Sequence, residues 1–181
     1  MLKTIIRSKR AFSLLEVVIT TAIIVVGLLG VSSLVAQNLR VQGINQYNLI
    51  ASMLAQEGLE IARNIRDENW IDISLSALFP ADWSDSLADT DGTIVLDYTN
   101  TNQFGNPPDD TPDNITDNGT RLFYTVNGLF THVNTGNPSP FRRLITVIDN
   151  GGNIQVTCAV RWSGRGITRD YVAETYLYDW R

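Results

Sequence analysis

One apolar run near the N-terminus constrains this chain of 181 residues more than any other feature. Residues 17–36 contain no charged side chain, and their polar side chains are all hydroxyls: Thr20, Thr21, Ser32 and Ser33. About 20 residues of helix, rising ~1.5 Å each, span the ~30 Å hydrocarbon core of a bilayer. The alternative is a buried core helix, but such helices are rarely apolar on all sides over this length. We therefore expect residues 12–39 to form a transmembrane helix.

The charges that flank this run indicate its orientation. Only Arg40 follows it closely, whereas four basic residues precede it: Lys3, Arg7, Lys9 and Arg10. Because an excess of positive charge stays on the cytoplasmic side, we expect a single-pass cytoplasmic (inner) membrane protein with its N-terminus inside. A cleaved secretory signal peptide fits less well, because its apolar region spans roughly 7 to 15 residues and ends in small residues. Leu34 stands where one of those small residues is required.

A second helical pattern follows the apolar run without a break. Residues 40–66 contain no proline, and apolar or small side chains recur there at helical spacing: Tyr47, Ile50, Ala51, Leu54, Gly58, Ile61, Ala62 and Ile65. Such a stripe is typical of an amphipathic helix that packs on one partner. We therefore predict one continuous helix from about residue 12 to residue 66.

The C-terminal part of the chain alternates as β-strands do. Strand patterns lie at 93–98, 122–126, 143–148, 154–162 and 168–178, and turn segments at 149–153 and 163–166 join the last three as hairpins. One face of the fourth pattern is apolar: Ile154, Val156, Cys158, Val160 and Trp162. We expect this face to pack on the helical stripe. The predicted fold class is α+β, with a long N-terminal helix packed on an antiparallel sheet.

The region between the helix and the last strands is acidic. Residues 67–120 include no basic side chain, and residues 99–120 are rich in turn formers, which predicts an exposed loop. A Ca²⁺ site is the functional alternative to a merely solvated loop, since several side chains offer oxygen ligands: Asp89, Asp91, Asp109, Asp110, Asp113 and Asp117. Because their spacing does not match an EF-hand loop, we predict no metal site.

The composition excludes most catalytic chemistry. The chain has one histidine, one cysteine and only two lysines, Lys3 and Lys9, so two-histidine metal motifs and a Walker A lysine are absent. We expect His132 to lie in a turn or on the surface, and Cys158 to be a small core residue. The sequence therefore predicts no enzyme and no cofactor. A net charge of -5 argues against a broad basic surface. A local basic patch has five candidates: Arg142, Arg143, Arg161, Arg165 and Arg169.

The N-terminal residues resemble those of a known family. Basic residues, the small Ala11 and then Phe12-Ser13-Leu14-Leu15-Glu16 before an unbroken apolar helix resemble the leader and mature N-terminus of type IV pilins and pseudopilins. This specific motif covers about residues 7–36, and the long helix followed by a sheet extends the resemblance in architecture to the whole chain. Two departures stand out. Ala11 replaces the usual glycine, and the apolar helix lacks the proline that many major pilins carry.

The resemblance implies how such a chain is processed and assembled. A prepilin peptidase cuts between Ala11 and Phe12, removes the leader and methylates the new amine of Phe12. Glu16 of one subunit then pairs with that amine on its neighbour. The implied partners are the peptidase, other pilin subunits in a homo- or hetero-filament, an inner-membrane assembly platform and, before assembly, membrane lipid. DNA is a partner only if the filament takes it up.

The chemistry of Glu16 agrees with that role. A carboxylate at mid-bilayer costs about 2.5 to 3.5 kcal/mol on insertion scales, and such residues are usually functional. The alternative is a carboxylate near the cytoplasmic end of the helix that reaches the lipid headgroups.

We therefore predict a structural subunit of a type IV pilus-like filament that polymerises through its N-terminal helix and serves adhesion, motility, DNA uptake or secretion. Its expected parts are a leader at 1–11, a transmembrane and assembly helix at 12–39 and an exported head at 40–181. The long acidic region favours a minor subunit. The alternative is an extracellular binding or adhesin protein that stays anchored in the membrane and does not polymerise.

Overall fold

The computed structural model describes residues 13–75, 82–84, 87, 92–98, 112–164 and 166–180. The chain divides into two compact units, Met1–Asn45 and Gln46–Arg181. The described part of the first unit is helical, and the second unit holds the rest of the same helix together with a sheet. The predicted leader and its cleavage residues, Ala11 and Phe12, lie outside the described residues.

Helix α1 runs over Leu14–Leu75, so it ends nine residues beyond the predicted end at residue 66. The apolar stripe stops near residue 65, but contacts with distant parts of the second unit continue. The side-chain amide of Asn69 donates to the carbonyl oxygen of Trp83 at 3.1 Å. The ring of Trp70 lies 5.9 Å, centroid to centroid, from that of Trp180. These tertiary contacts hold the additional turns, which the stripe alone does not predict.

The sheet has six strands among the described residues, and each is antiparallel to its neighbours. They are β1 (Gly92–Ile94), β2 (Arg121–Tyr124), β3 (Phe130–Thr131), β4 (Pro138–Asp149), β5 (Asn153–Gly164) and β6 (Ile167–Tyr178). Their order is β3-β2-β4-β5-β6, and β1 pairs with residues 145–147 of β4. The helix and this sheet confirm the predicted α+β class.

The last three strands form the predicted meander. The register between β4 and β5 is continuous from Phe141 opposite Trp162 to Asp149 opposite Ile154. Strand β4 nevertheless begins at Pro138, five residues before the predicted start. A proline is tolerated at the first residue of a strand, where its missing N–H breaks no continuous ladder.

Two predictions between the helix and the meander are wrong in part. The strand predicted at 93–98 ends at Ile94, because Asp97 is buried beyond it and accepts hydrogen bonds from the hydroxyl of Thr131 and the backbone N–H of His132. The loop predicted to be exposed at 99–120 is described from residue 112 onward. There Ile115 and Thr120 are buried, and the hydroxyl of Thr120 donates to the carbonyl oxygen of Ile115 at 2.9 Å.

The core of the second unit lies between α1 and strands β4 and β5. The apolar face predicted for β5 is buried along its whole length, and so is most of the helical stripe from Ala51 to Ile65. At one end of this core, the ring of Tyr47 lies 5.1 Å from Trp162 and 5.9 Å from Phe141, measured between centroids. The indole N–H of Trp162 donates to the side chain of Asn48 at 3.1 Å.

Helix and sheet approach each other closely at Gly58. A Cβ atom at this position would lie 2.8 Å from the Sγ of Cys158 and 3.2 Å from the Cδ1 of Ile145. Since real Cβ atoms do not approach a sulfur this closely, only glycine fits here without movement of the neighbours.

Candidate membrane and assembly segment

The first turn of α1 is set by Ser13. Its carbonyl oxygen accepts the backbone N–H of Glu16 at 3.0 Å and that of Val17 at 3.2 Å, which are the first hydrogen bonds of the helix. Ser13 is therefore the N-cap residue and Glu16 the third helical residue. Serine and glutamate at this spacing match the sequence pattern of a capping box, but neither side chain forms a hydrogen bond with a described residue. The pattern is present and the capping hydrogen bonds are not.

The carboxylate of Glu16 also lies at the favourable end of the helix dipole, where negative charge is stabilised. The residue is exposed, and its carboxylate forms no ion pair or hydrogen bond with a described residue. The structure thus leaves Glu16 accessible to another molecule. Its predicted partner, the amine of Phe12 on a neighbour, lies outside the described residues.

The apolar residues that follow are exposed on every side of the helix. Ile23 and Val26 retain 67% and 70% of their accessible surface, and four consecutive residues, 23–26, are all exposed. Consecutive residues are about 100° apart around a helix, so these four point in all directions. No residue in the most apolar window of α1 is buried within the chain. Exposed apolar surface on this scale marks contact with membrane or with other proteins.

The threonine hydroxyls of this segment are satisfied within the helix. Thr20 donates to the carbonyl oxygen of Glu16 at 2.8 Å, and Thr21 donates to that of Val17 at 2.8 Å. A hydroxyl that bonds to the preceding turn leaves no open donor to be placed in hydrocarbon. These two residues therefore do not oppose an apolar environment.

Small residues interrupt the surface of the segment. An added Cβ at Gly27 or Gly30 would meet nothing within 4 Å. Such positions lower the helix surface and permit the close approach of another helix. No described residue packs against these two positions.

The structure therefore defines an α+β chain with one N-terminal helix that is long and apolar enough to cross a membrane. No protein-family model, no curated protein and no solved structure matches it.

The candidate catalytic residues lie in the second unit. Cys158 is fully buried, as predicted, and burial raises the pKa of its thiol to about 12. His132 is partly exposed, but both of its ring nitrogens are buried. Neither nitrogen has a hydrogen-bond partner among the described residues. Burial and the nearby charge of Arg143 lower the pKa of this imidazole to about 4, although Asp97 and the backbone near Gly119 and Arg121 act in the opposite direction.

Four of the six aspartates considered for Ca²⁺ lie outside the described residues, and the described part holds no group of three potential ligands. Asp117 instead accepts the backbone N–H of Asn114 at 2.9 Å.

Among the five candidate basic residues, Arg143 is fully buried rather than on a surface patch. Its guanidinium donates to the carbonyl oxygens of Leu54 (3.2 Å) and Leu96 (2.7 Å), and lies 3.1 Å from the carboxylate of Glu57. It therefore links helix, sheet and the segment after β1. Arg161 forms two hydrogen bonds of 2.6 Å with Asp170. Arg165 lies outside the described residues.

Proposed function

We propose that this chain is a structural subunit of a type IV pilus-like filament, inserted in the membrane and then polymerised through residues 12–39. One observation carries the proposal: residues 17–36 of α1 are apolar on all sides and exposed, and one accessible carboxylate, that of Glu16, lies in the first turn of the helix. A helix of this kind requires lipid before assembly and other apolar helices afterwards. The second unit needs neither, because its own sheet covers its helical stripe.

In this proposal, removal of the leader exposes the amine of Phe12, and Glu16 of the adjacent subunit binds it. Two opposite charges inside an apolar bundle gain little net stability, but they fix the register of the helices, because any other alignment leaves both charges unpaired. Gly27 and Gly30 permit the close helix approach that such a bundle needs. The role is structural rather than catalytic.

The required machinery is the one implied by the N-terminal motif. A prepilin peptidase acts on Ala11 and Phe12, and an inner-membrane assembly platform transfers the subunit from lipid into the filament. The head is then exposed outside the cell or in the periplasm. Adhesion, motility, DNA uptake and secretion all use this arrangement.

The test removes the charge of Glu16 and leaves the shape of the side chain unchanged. Glu16→Gln is nearly isosteric, and glutamine has a helix propensity similar to that of glutamate. In cells that possess the assembly machinery, we expect normal membrane insertion and at least about a tenfold loss of filament incorporation. Glu60→Gln is the matched control, because Glu60 lies on the same helix and its ion pair with Arg63 is exposed. Full incorporation of Glu16→Gln would remove the charge from the mechanism.

The second candidate is a permanently anchored binding or adhesin protein. The position of Glu16 in the first turn of α1 favours it, because the helix dipole stabilises a carboxylate there without any partner. This candidate predicts that the leader remains attached and that Glu16→Gln behaves as the wild type. The two candidates therefore differ both in the N-terminus and in the charge requirement.

A further inference from the structure

A cleft of about 560 Å³ opens on the second unit beside the start of β2. It lies between the 3-10 turn Asn118–Thr120, strand β2 and the segment that leads from β3 to β4. Its volume is within the range of small-molecule sites, roughly 300 to 1,000 Å³. The cleft has no part in the proposed filament function, and it is separate from the core between α1 and strands β4 and β5.

Arg121 supplies a free positive charge to the cleft. Its side chain is exposed, and no described residue forms an ion pair or a side-chain hydrogen bond with it. Arg121 and Phe123 both line the cleft and alternate along β2 with the buried Leu122, so they lie on the sheet face opposite that core residue.

The position of Arg121 in the sheet lowers the stability of the fold. Arg121 lies directly opposite Arg142 in β4, and Arg142 lies opposite Arg161 in β5. Like charges directly opposite each other destabilise a sheet. Burial, followed by the charge of Arg121, lowers the pKa of Arg142.

The other two arginines of this row have partners. Arg142 donates to the carbonyl oxygens of Thr116 (3.1 Å) and Asp117 (2.6 Å), and Arg161 binds Asp170. Among these three arginines, Arg121 is the one whose side chain has no partner among the described residues, so its charge is available to a ligand.

The rest of the cleft offers donors and no carboxylate. None of its lining residues is acidic. The side-chain oxygen of Asn134 accepts the backbone N–H of Gly136 at 2.9 Å, which leaves its amide NH₂ group to donate. Asn118 adds a second side-chain amide. Such a donor set suits a ligand that carries a carboxylate and several hydroxyl groups.

Phe123 and Pro138 add apolar ring surfaces to the same cleft. The nitrogens of His132 are buried, so this residue presents only carbon atoms there. An aromatic face carries negative charge density and attracts polarised C–H groups, and the C–H face of a sugar ring provides them. Apolar rings, amide donors and one cation in a single cleft match the chemistry of a sugar acid.

We propose that this cleft binds an acidic saccharide, a sugar unit with a carboxylate, through a charge-assisted hydrogen bond from Arg121. The amides of Asn118 and Asn134 bind its hydroxyl groups, and the rings of Phe123 and Pro138 contact its apolar face. The proposal stands whether or not the chain polymerises.

The test is calorimetric titration of the full chain in detergent micelles with sodium glucuronate as the probe. Glucose has the ring without the charge, and acetate has the charge without the ring. We expect each to bind at least about tenfold more weakly than glucuronate. Arg121→Gln should weaken glucuronate binding roughly ten- to a hundredfold, and Arg121→Lys should recover part of it. Arg169→Gln is the matched control, because Arg169 is an exposed arginine on β6, away from the cleft, and should bind as the wild type.

A measurement of folding accompanies the titration. Because Arg121→Gln relieves a like-charge pair, its denaturation midpoint should not fall below that of the wild type. A folded Arg121→Gln variant that binds glucuronate normally overturns the proposal. Equal affinity for acetate and glucuronate also overturns it, since the cleft is then an anion site without saccharide recognition, and so does the absence of glucuronate binding to the wild type.

Discussion

The two parts of helix α1 share one backbone geometry but differ in what their side chains require. Residues 17–36 are apolar on all sides and exposed, whereas the part from Gln46 onward buries an apolar stripe against β4 and β5 and exposes Glu60 and Arg63 on another side. Helix formation itself does not distinguish the two parts. The distribution of apolar side chains around the axis decides whether the helix needs one sheet or a surrounding apolar medium.

Arg143 gives the largest effect on the packed part. Arg143→Ala should lower the free energy of unfolding by about 3 to 5 kcal/mol, because it leaves a cavity and removes the partner of Glu57 and two carbonyl oxygens. Chemical denaturation followed by the fluorescence of the buried Trp162 measures this loss. Arg161→Ala is the control. Its exposed pair with Asp170 should contribute no more than about 1 kcal/mol. An equal loss of stability in both variants would contradict the larger contribution expected of the buried Arg143.

An arginine introduced into the exposed apolar part should impair membrane insertion and leave the stability of the second unit unchanged. Val25→Arg places a charge near the middle of the apolar run and should disfavour membrane insertion by about 2.5 to 3.5 kcal/mol. The head should fold as before, because Val25 is exposed and belongs to the other unit. Fractionation of membranes after expression measures insertion. Normal insertion of this variant, with Val25→Leu as the reference, would argue against a membrane role for the segment.

His132 makes the stability of the second unit depend on pH. Its pKa is lowered from 6.5 to about 4 in the folded protein, so the unfolded chain takes up a proton first as the pH falls. The stability contributed by the neutral imidazole is complete above pH 6.5 and is lost progressively between 6.5 and 4, by about 1 to 3 kcal/mol. Denaturation curves for the wild type and His132→Gln check this window. Identical pH profiles for the two proteins would contradict it.

Gly58 tests the contact between α1 and β5 with the smallest expected effect. Gly58→Ala should cost about 1 to 2 kcal/mol, because overpacking against Cys158 exceeds the gain in helix propensity. Cys158→Ala removes the sulfur that the new methyl group meets at 2.8 Å. In the double variant the substitution at Gly58 should therefore cost less than it does alone. Additive effects in a double-mutant cycle would mean that these two residues do not meet.

The sequence predicts those features that depend on repeated patterns. The apolar run, the helical stripe and the alternation of β5 each repeat over many residues, and each occurs in the structure, although α1 ends nine residues beyond its predicted end. The long exposed helix surface was likewise visible in the composition of residues 17–36. Repetition averages out local exceptions, which is why the fold class could be predicted.

The features that the sequence did not reveal depend on single contacts between distant residues. Arg143 resembles a surface residue in the sequence, but two of its hydrogen-bond acceptors, the carbonyl oxygens of Leu54 and Leu96, lie 89 and 47 residues away. Strand β1 ends early because Thr131 and His132, 34 and 35 residues further along the chain, donate hydrogen bonds to Asp97. The free charge of Arg121 also depends on the cross-strand register. No local pattern encodes such pairings, so they required the structure.

The central claim is that residues 12–39 are a processed assembly helix rather than a permanent anchor. Mass spectrometry of the N-terminus of the protein isolated from its native cells tests this most directly. The account predicts a chain that begins at methylated Phe12 and lacks residues 1–11. A chain that retains Met1 and the basic leader, in cells with an active prepilin peptidase, would contradict the account and leave a tethered binding protein.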